Sequence, residues 1–232
     1  MDIFELAMSI KMAGGGTSGA VVIDNGYIDA TMSISNINRL SIFAENVENI
    51  TYSAFINCIN LTSIDLPSAT SIGTSAFANC KNLTSINLPS ATSIGTSAFD
   101  NCINLTSIDL PSATSISDRA FANCINLTSI DLPSATSIED RAFEGCNNLH
   151  TLILRNETMC EIIIMAVLGT KIANEEGVPT GEGFIYVPSV LYEDYVAFFN
   201  MQIVQLGTDE ATAEYISRTV LRKIEDYPKI CG

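Results

Sequence analysis

The chain has 232 residues, 47% of them hydrophobic and 16% charged, and a formal net charge of −15. That apolar share is enough to offset the entropy of ordering, which excludes general disorder. Twenty-six acidic residues against eleven basic ones repel phosphate backbones and anionic bilayers, which speaks against nucleic-acid binding.

No run of 18 or more apolar residues occurs, so no membrane insertion is expected. The start of the chain lacks a signal-peptide charge order, because Asp2 and Glu5 precede the only early cation, Lys11. A cytoplasmic or particle-associated location is therefore expected ahead of classical secretion. Residues 1–13 predict an amphipathic helix, with Ile3, Phe4, Ala7, Met8 and Ile10 on its apolar side. Residues 14–19, with four glycines among Gly14–Gly19, predict a linker.

From there the sequence repeats. Phe55, Phe77, Phe99, Phe121 and Phe143 recur every 22 residues, as do Cys58, Cys80, Cys102, Cys124 and Cys146. Leu61, Leu83, Leu105, Leu127 and Leu149 keep the same step. One unit reads A-F-x-N-C-x-N-L-T-S-I-D-L-P-S-A-T-S-I-x-x-x, and its L-x-x-I-x-L stretch (Leu61 to Leu66) is the strand segment of a leucine-rich repeat. Alternation there sends Ile64 and Leu66 inward and Ser63 and Asp65 outward. Pro67, Pro89, Pro111 and Pro133 follow each strand, where a missing N–H costs little. Ala76 and Phe77 predict a single helical or 3₁₀ turn on the opposite side. No unit can bury its Phe, Leu and Ile alone, so the units are expected to stack, with strands about 4.8 Å apart.

The fold class expected is a leucine-rich-repeat solenoid of short parallel strands, turns and short 3₁₀ or helical segments, closed by a mixed α/β C-terminal cap. Residues 51–155 form the repeats. Residues 20–50, where Ile42, Ala44, Val47 and Ile50 keep the apolar phase without the Cys or Phe, form an N-terminal capping unit. Residues 156–232 form the C-terminal cap.

These units resemble the BspA-like branch of leucine-rich-repeat proteins, over roughly residues 33–155. A second similarity is Ile185-Tyr186-Val187-Pro188 followed by Leu191 and Tyr195, like the element that often closes such arrays. Such arrays usually carry a Trp beyond it; this chain has none and carries Gln205 to Arg218 instead. The resemblance implies adhesion or ligand binding on a repeat surface, often bacterial, without catalysis or cofactor. The predicted N-terminal helix and glycine linker are similar to small phage-tail proteins. This gives a second reading: a structural accessory docked on a particle through that helix.

The outward strand positions are the candidate site: Ser63, Asp65, Ser85, Asn87, Ser107, Asp109, Ser129 and Asp131, a polar stripe on the concave face expected to meet a protein or glycan. Plain solvated surface is the alternative. A Ca²⁺ site is disfavoured, because each unit offers one carboxylate and Asn87 interrupts the row. Aromatic or arginine anchors are missing from these repeats.

Other constellations read as structural. The cysteine ladder predicts buried reduced thiols, since stacked Cβ atoms about 4.8 Å apart exceed the disulfide optimum of about 3.8 Å. The only histidine, His150, has no partner ligands in sequence, and no metal site is expected. Asn60, Asn82, Asn104 and Asn126 begin N-L-T acceptor patterns but are expected to bond the backbone of the next coil. Asn57, Asn79, Asn101 and Asn123 are expected to serve the same turn. Asp118–Arg119 and Asp140–Arg141 are expected to pair across adjacent coils. With one histidine, no phosphate loop and no nucleotide fingerprint, catalysis is not expected.

Overall fold

A computed structural model of the chain describes residues 10–13, 19–23, 27–28, 40–43, 47–174 and 178–226. The first strands are β1 (Ile10–Ala13), β2 (Gly19–Ile23), β3 (Tyr27–Ile28), β4 (Leu40–Phe43) and β5 (Asn49–Ile50). The repeats supply β6 (Leu61–Asp65), β7 (Ser71–Ile72), β8 (Ser85–Asn87), β9 (Ser93–Ile94), β10 (Ser115–Ile116), β11 (Ser129–Leu132) and β12 (Ser137–Ile138). Beyond them lie β13 (Thr151–Leu154), β14 (Glu161–Ile162), β15 (Phe184–Val187), helix α1 (Tyr192–Gln205), helix α2 (Glu210–Val220) and β16 (Leu221–Lys223).

The coils stack in parallel, as the 22-residue step requires. One ladder runs β1-β2-β4-β6-β8 and resumes as β11-β13-β15-β16, the two parts joined through single bridges at Asp109. A second ladder of two-residue strands runs β14-β12-β10-β9-β7-β5-β3. Register follows the repeat: Ile64 faces Ile86, and Ile72 faces Ile94. The same register reaches back to Ile42 against Ile64 and Ile50 against Ile72, the pairs that a shift of 22 residues predicts. Within residues 20–50, expected as one capping unit, the backbone already contributes strands to both ladders.

The expected N-terminal helix does not extend over residues 10–13. Their backbone is β1, paired antiparallel with β2 from Ile10 against Ile23 to Ala13 against Ala20. The physical reason is that a helix of about a dozen residues is marginal alone, whereas an open sheet edge offers a full set of partners. Residues 1–9 and most of the expected linker, 14–18, lie outside the described residues.

Inside the column the recurrent side chains are dry. Phe55, Phe77, Phe99, Phe121 and Phe143 are all fully buried. Their rings stack with interplanar angles of 5–7° and centroids 5.1, 5.2, 5.3 and 5.7 Å apart. Parallel strands sit about 4.7–4.9 Å apart, a difference in spacing that bends a stack toward its strand side. Each deeper thiol donates to a backbone carbonyl of the coil before: Cys80 to Phe55, Cys102 to Phe77, Cys124 to Phe99 and Cys146 to Phe121, at 3.0–3.3 Å. Six cysteines are free thiols; Cys231 lies outside the described residues.

On the third side, the expected helical turn is replaced by backbone of alternating hand. Ser75 and Asn79 have φ of 55° and 62°, and the pattern recurs at Ser97 and Asn101. Alternate N–H groups (Ser75, Phe77, Asn79) donate to the next coil's Thr96, Ala98 and Asp100 carbonyls at 2.8–2.9 Å. The groups between them close turns within the coil, so no backbone donor of residues 75–80 is left idle. Asparagine tolerates the left-handed region better than most residues, and Gly145 (φ 69°) fills the equivalent place where Asn is replaced.

Candidate functional site: the outward strand rows

The eight singled-out side chains form two rows on the strand ladder. Ser63 stands beside Ser85, and Asp65 beside Asn87, beside Asp109, beside Asp131. Ser107 lies between these strands, exposed like Ser85, Asn87 and Asp109, whereas Ser63, Asp65, Ser129 and Asp131 are half-buried. Beneath them Ile64, Ile86, Ile108 and Ile130 are buried, so strand alternation separates a dry spine from a wet face.

Two of the row's three carboxylates have side-chain partners. Asn87 Nδ2 donates to Asp65 Oδ1 at 2.7 Å, and Arg155 Nε bonds both carboxylate oxygens of Asp131 at 2.8 and 3.1 Å. Two side chains thus tie down Asp65 and Asp131, while Asp109 lies between them. Among the described residues no group of three or more His, Cys, Asp or Glu is placed to hold a metal ion.

The rows do not end where the repeats do. Ser129 pairs with Thr151 and Asp131 with Ile153; these pair in turn with Phe184 and Tyr186. Tyr186 then faces Arg222, whose guanidinium lies over the Phe184 ring, 4.1 Å from its centroid. The polar stripe therefore runs into a wall of bulky side chains. These aromatic and arginine side chains come from the C-terminal cap, beyond the repeats themselves. The signal was present: Phe184-Ile185-Tyr186-Val187 alternates with the same period as the repeats, with Ile185 and Val187 fully buried.

Elsewhere the asparagines divide: Asn101 Nδ2 donates to Asn79 Oδ1 at 2.7 Å and Asn123 Nδ2 to Asp100 Oδ1 at 3.0 Å, whereas others act on backbone. Asn82 Nδ2 donates to the Ile59 carbonyl at 2.7 Å and Asn126 Nδ2 to that of Ile103 at 2.8 Å, in the preceding coil rather than the next. On the charged edge, Arg119 pairs with Glu144 of the following coil at 2.8 Å, and Arg141 with its own neighbour Asp140 at 3.6 Å. The expected Asp118–Arg119 and Asp140–Arg141 cross-coil pattern is thus replaced, because Glu144 reaches further across the gap than an aspartate can.

The cap is pinned to the column by the tyrosine of the closing element. Tyr195 is fully buried, and its Oη accepts the Cys160 N–H at 2.7 Å, while Gln202 Nε2 donates to the Ile162 carbonyl at 2.9 Å. Burial pushes the Tyr195 hydroxyl up to about 12. Tyr195→Phe leaves the Cys160 N–H without an acceptor, and is expected to cost about 1–3 kcal/mol in urea unfolding. An unchanged midpoint would show that the bond contributes nothing.

The BspA-type leucine-rich-repeat family model matches six copies, over residues 28–150 and 70–172. The chain belongs to this family. The family match begins at β3 and reaches past β14, so it covers both ladders beyond the regular repeats. Among solved structures, the leucine-rich-repeat protein of T. pallidum is 21% identical, covering 83% of this chain and 94% of its own, with a TM-score of 0.50. A leucine rich cell surface protein of Faecalibacterium prausnitzii A2-165 is 30% identical over 65% of this chain, with a TM-score of 0.46. The chain spans 38% of the length of that protein. A leucine-rich-repeat protein of Bacteroides ovatus ATCC 8483 is 18% identical over 76% of this chain and 74% of its own, with a TM-score of 0.37. No curated protein matches.

Proposed function

We propose that this BspA-type repeat protein is a non-catalytic binding or adhesion module that engages a protein or glycan through its outward strand rows. The supporting observation is the in-register alignment of Ser63/Ser85 and Asp65/Asn87/Asp109/Asp131, which displays one chemistry repeatedly while the spine behind stays dry. A rigid periodic surface loses little entropy on binding an extended or repetitive ligand. The strand face, rather than the edges, carries the reading because its side chains are small and leave backbone-level access. The alternative role as a docked particle component rested on an N-terminal helix, and residues 10–13 of that segment are a strand. Among the described residues no helix is long and apolar enough to cross a membrane.

The test is a screen of the immobilised chain on glycan and surface-protein arrays, repeated with Ser85→Arg/Ser107→Arg. Both positions are exposed, so the double variant is expected to keep its melting temperature while losing at least about tenfold in affinity, or about 1.4 kcal/mol. A Thr96→Arg variant on the opposite side serves as control. Binding that survives the double variant and fails with Thr96→Arg would move the site off the strand rows. Turnover of glycoside or peptide substrates by the purified chain would overturn the non-catalytic reading.

A further inference from the structure

Between β8 and β11 one coil contributes no strand, and its neighbours reach it only through single bridges at Asp109. The bonds that join the other coils lapse there. Leu66 N–H donates to the Asn87 carbonyl at 3.1 Å, whereas the same-phase N–H groups of Leu88 and Leu110 make no such bond. Thr84 N–H reaches the Thr62 carbonyl at 3.0 Å and Thr128 N–H that of Thr106 at 3.3 Å, but Thr106 N–H does not reach Thr84. Solvent comes closer as well. Ile86 and Ile108, under the gap, are each 7% exposed, against 1% for Ile64 and Ile130.

The other sides of the same coils stay joined. Phe77 N–H bonds the Ala98 carbonyl and Phe99 N–H that of Ala120, both at 2.8 Å. Ile94, Ile116 and Ile138 pair without interruption. The seam is therefore open on one side only, and side-chain chemistry accounts for its place. Asp65 takes a bond from Asn87, and Asp131 takes two from Arg155. Asp109 stands directly beside Asp131 with no side-chain donor among the described residues. Like charges at neighbouring positions of a sheet weaken the pairing between them.

We propose that the column hinges at this seam: the strand side opens and closes between Asn87 and Asp131, the phenylalanine side is the pivot, and the Asp109 carboxylate holds the seam open. The rows on either side are then two stiff panels, Ser63 to Asn87 and Ser129 onward, whose mutual angle varies. A concave face of this kind follows ligands of different curvature without unfolding a coil. The hinge stands whether or not the strand rows are the ligand site. The neighbouring rung shows what closes such a gap. Asn87 donates to Asp65 at 2.7 Å, and there the ladder is intact over three successive pairs. Asp109→Asn puts the same donor against Asn87 Oδ1, in the same sense along the column.

Full-length protein labelled with nitrogen-15 and kept in reductant tests this by NMR, with hydrogen exchange reading the seam and residual dipolar couplings reading the bend. The Ser107, Ile108 and Asp109 amides are expected to exchange at least about tenfold faster than Ser63 to Asp65 and Ser129 to Asp131. Phe99, Ile116 and Phe121 should stay as slow as Phe77 and Ile94. Couplings from residues 61–88 and 127–154 should need two alignment tensors in the native chain and one in Asp109→Asn. Asp109 is exposed, so the variant keeps its fold, and its Ser107–Asp109 amides should slow by about tenfold or more. Glu157→Gln, the same charge change away from the rows, should alter neither reading. Equal protection of the three rungs, or a single tensor in the native chain, would overturn the hinge. Fast exchange of Phe99 and Ile116 alongside Ser107 would overturn it too, since the whole coil would then be unfolding. An Asp109→Asn variant that matches the native chain, or a Glu157→Gln variant that closes the seam, would remove Asp109 as its cause.

Discussion

Phe99→Ala is expected to cost about 3–5 kcal/mol of folding free energy, the largest effect of any single truncation in the column. Phe99 is fully buried between Phe77 and Phe121, with ring centroids 5.2 and 5.3 Å away. Its neighbours cannot close on the void, because each coil's position is fixed by its own backbone bonds. Phe77 N–H reaches the Ala98 carbonyl, and Phe99 N–H the Ala120 carbonyl, both at 2.8 Å. Phe143→Ala should cost less. Among the described residues it stacks on a ring on one side, that of Phe121, and the coil beyond it is an irregular segment, reached through the Phe143 N–H to the Ala166 carbonyl. Urea unfolding followed by circular dichroism measures both. A stack of nearest-neighbour contacts is also expected to lose cooperativity when its middle is weakened, which would appear as a lower slope for Phe99→Ala. If neither variant moves the midpoint, the phenylalanine spine does not hold the coils together.

The second large effect is alkaline. Burial raises the Cys58, Cys80, Cys102, Cys124 and Cys160 thiols above their ordinary value of 9.0, with Cys102 and Cys160 pushed up to about 12. Below that ordinary value the folded and unfolded chains hold the same thiol protons, so stability is flat. Above it the unfolded chain releases protons that the fold retains, and stability falls. For a thiol held near 12, the loss runs from about pH 9 to about pH 12, at about 1.4 kcal/mol per pH unit. Several such groups acting together remove much of the stability of an ordinary domain, about 5–15 kcal/mol, within the first one or two units. Tyr195 adds to the loss from about pH 10 upward. Urea midpoints collected in reductant from about pH 8 to 11 should be level at first and then drop steeply. Cys102→Ala should blunt the slope by one group's worth. A flat profile through that range would mean that the thiols are not enclosed.

Much of the architecture could be read from phase alone. Residues that share a position modulo 22 must share an environment in a stacked chain, and this alone places Phe99, Cys102, Leu105 and Ile108 in one spine. It also extended the ladders back to Ile42 and Ile50, where Cys and Phe have vanished but the apolar beat remains. The misses were of a different kind. Ile10 to Met12 suits a helix face or a strand equally well, and the choice depended on β2, a partner that local pattern does not reveal. Arg119 found Glu144 because side-chain reach, and not adjacency in the repeat, selects the partner. The wall of Phe184, Tyr186 and Arg222 was hidden because about thirty residues of irregular chain intervene between Leu154 and Phe184, so the period could not be carried across.

The bonds that join one coil to the next in the regular array span about one repeat, from 21 to 25 positions: Phe77 N–H to the Ala98 carbonyl, Thr92 Oγ1 to the Thr70 carbonyl, Asn82 to Ile59, Cys102 to Phe77. A bond list written this way makes no reference to how many units there are. Loss or gain of one whole unit by genetic recombination between near-identical segments leaves each surviving bond with an equivalent partner, and changes the column's length by one strand spacing, about 4.8 Å. The protein is in this respect a ruler with interchangeable divisions. Among the described residues, the antiparallel β1 edge and the helical cap are where the pattern departs from that interchangeable unit.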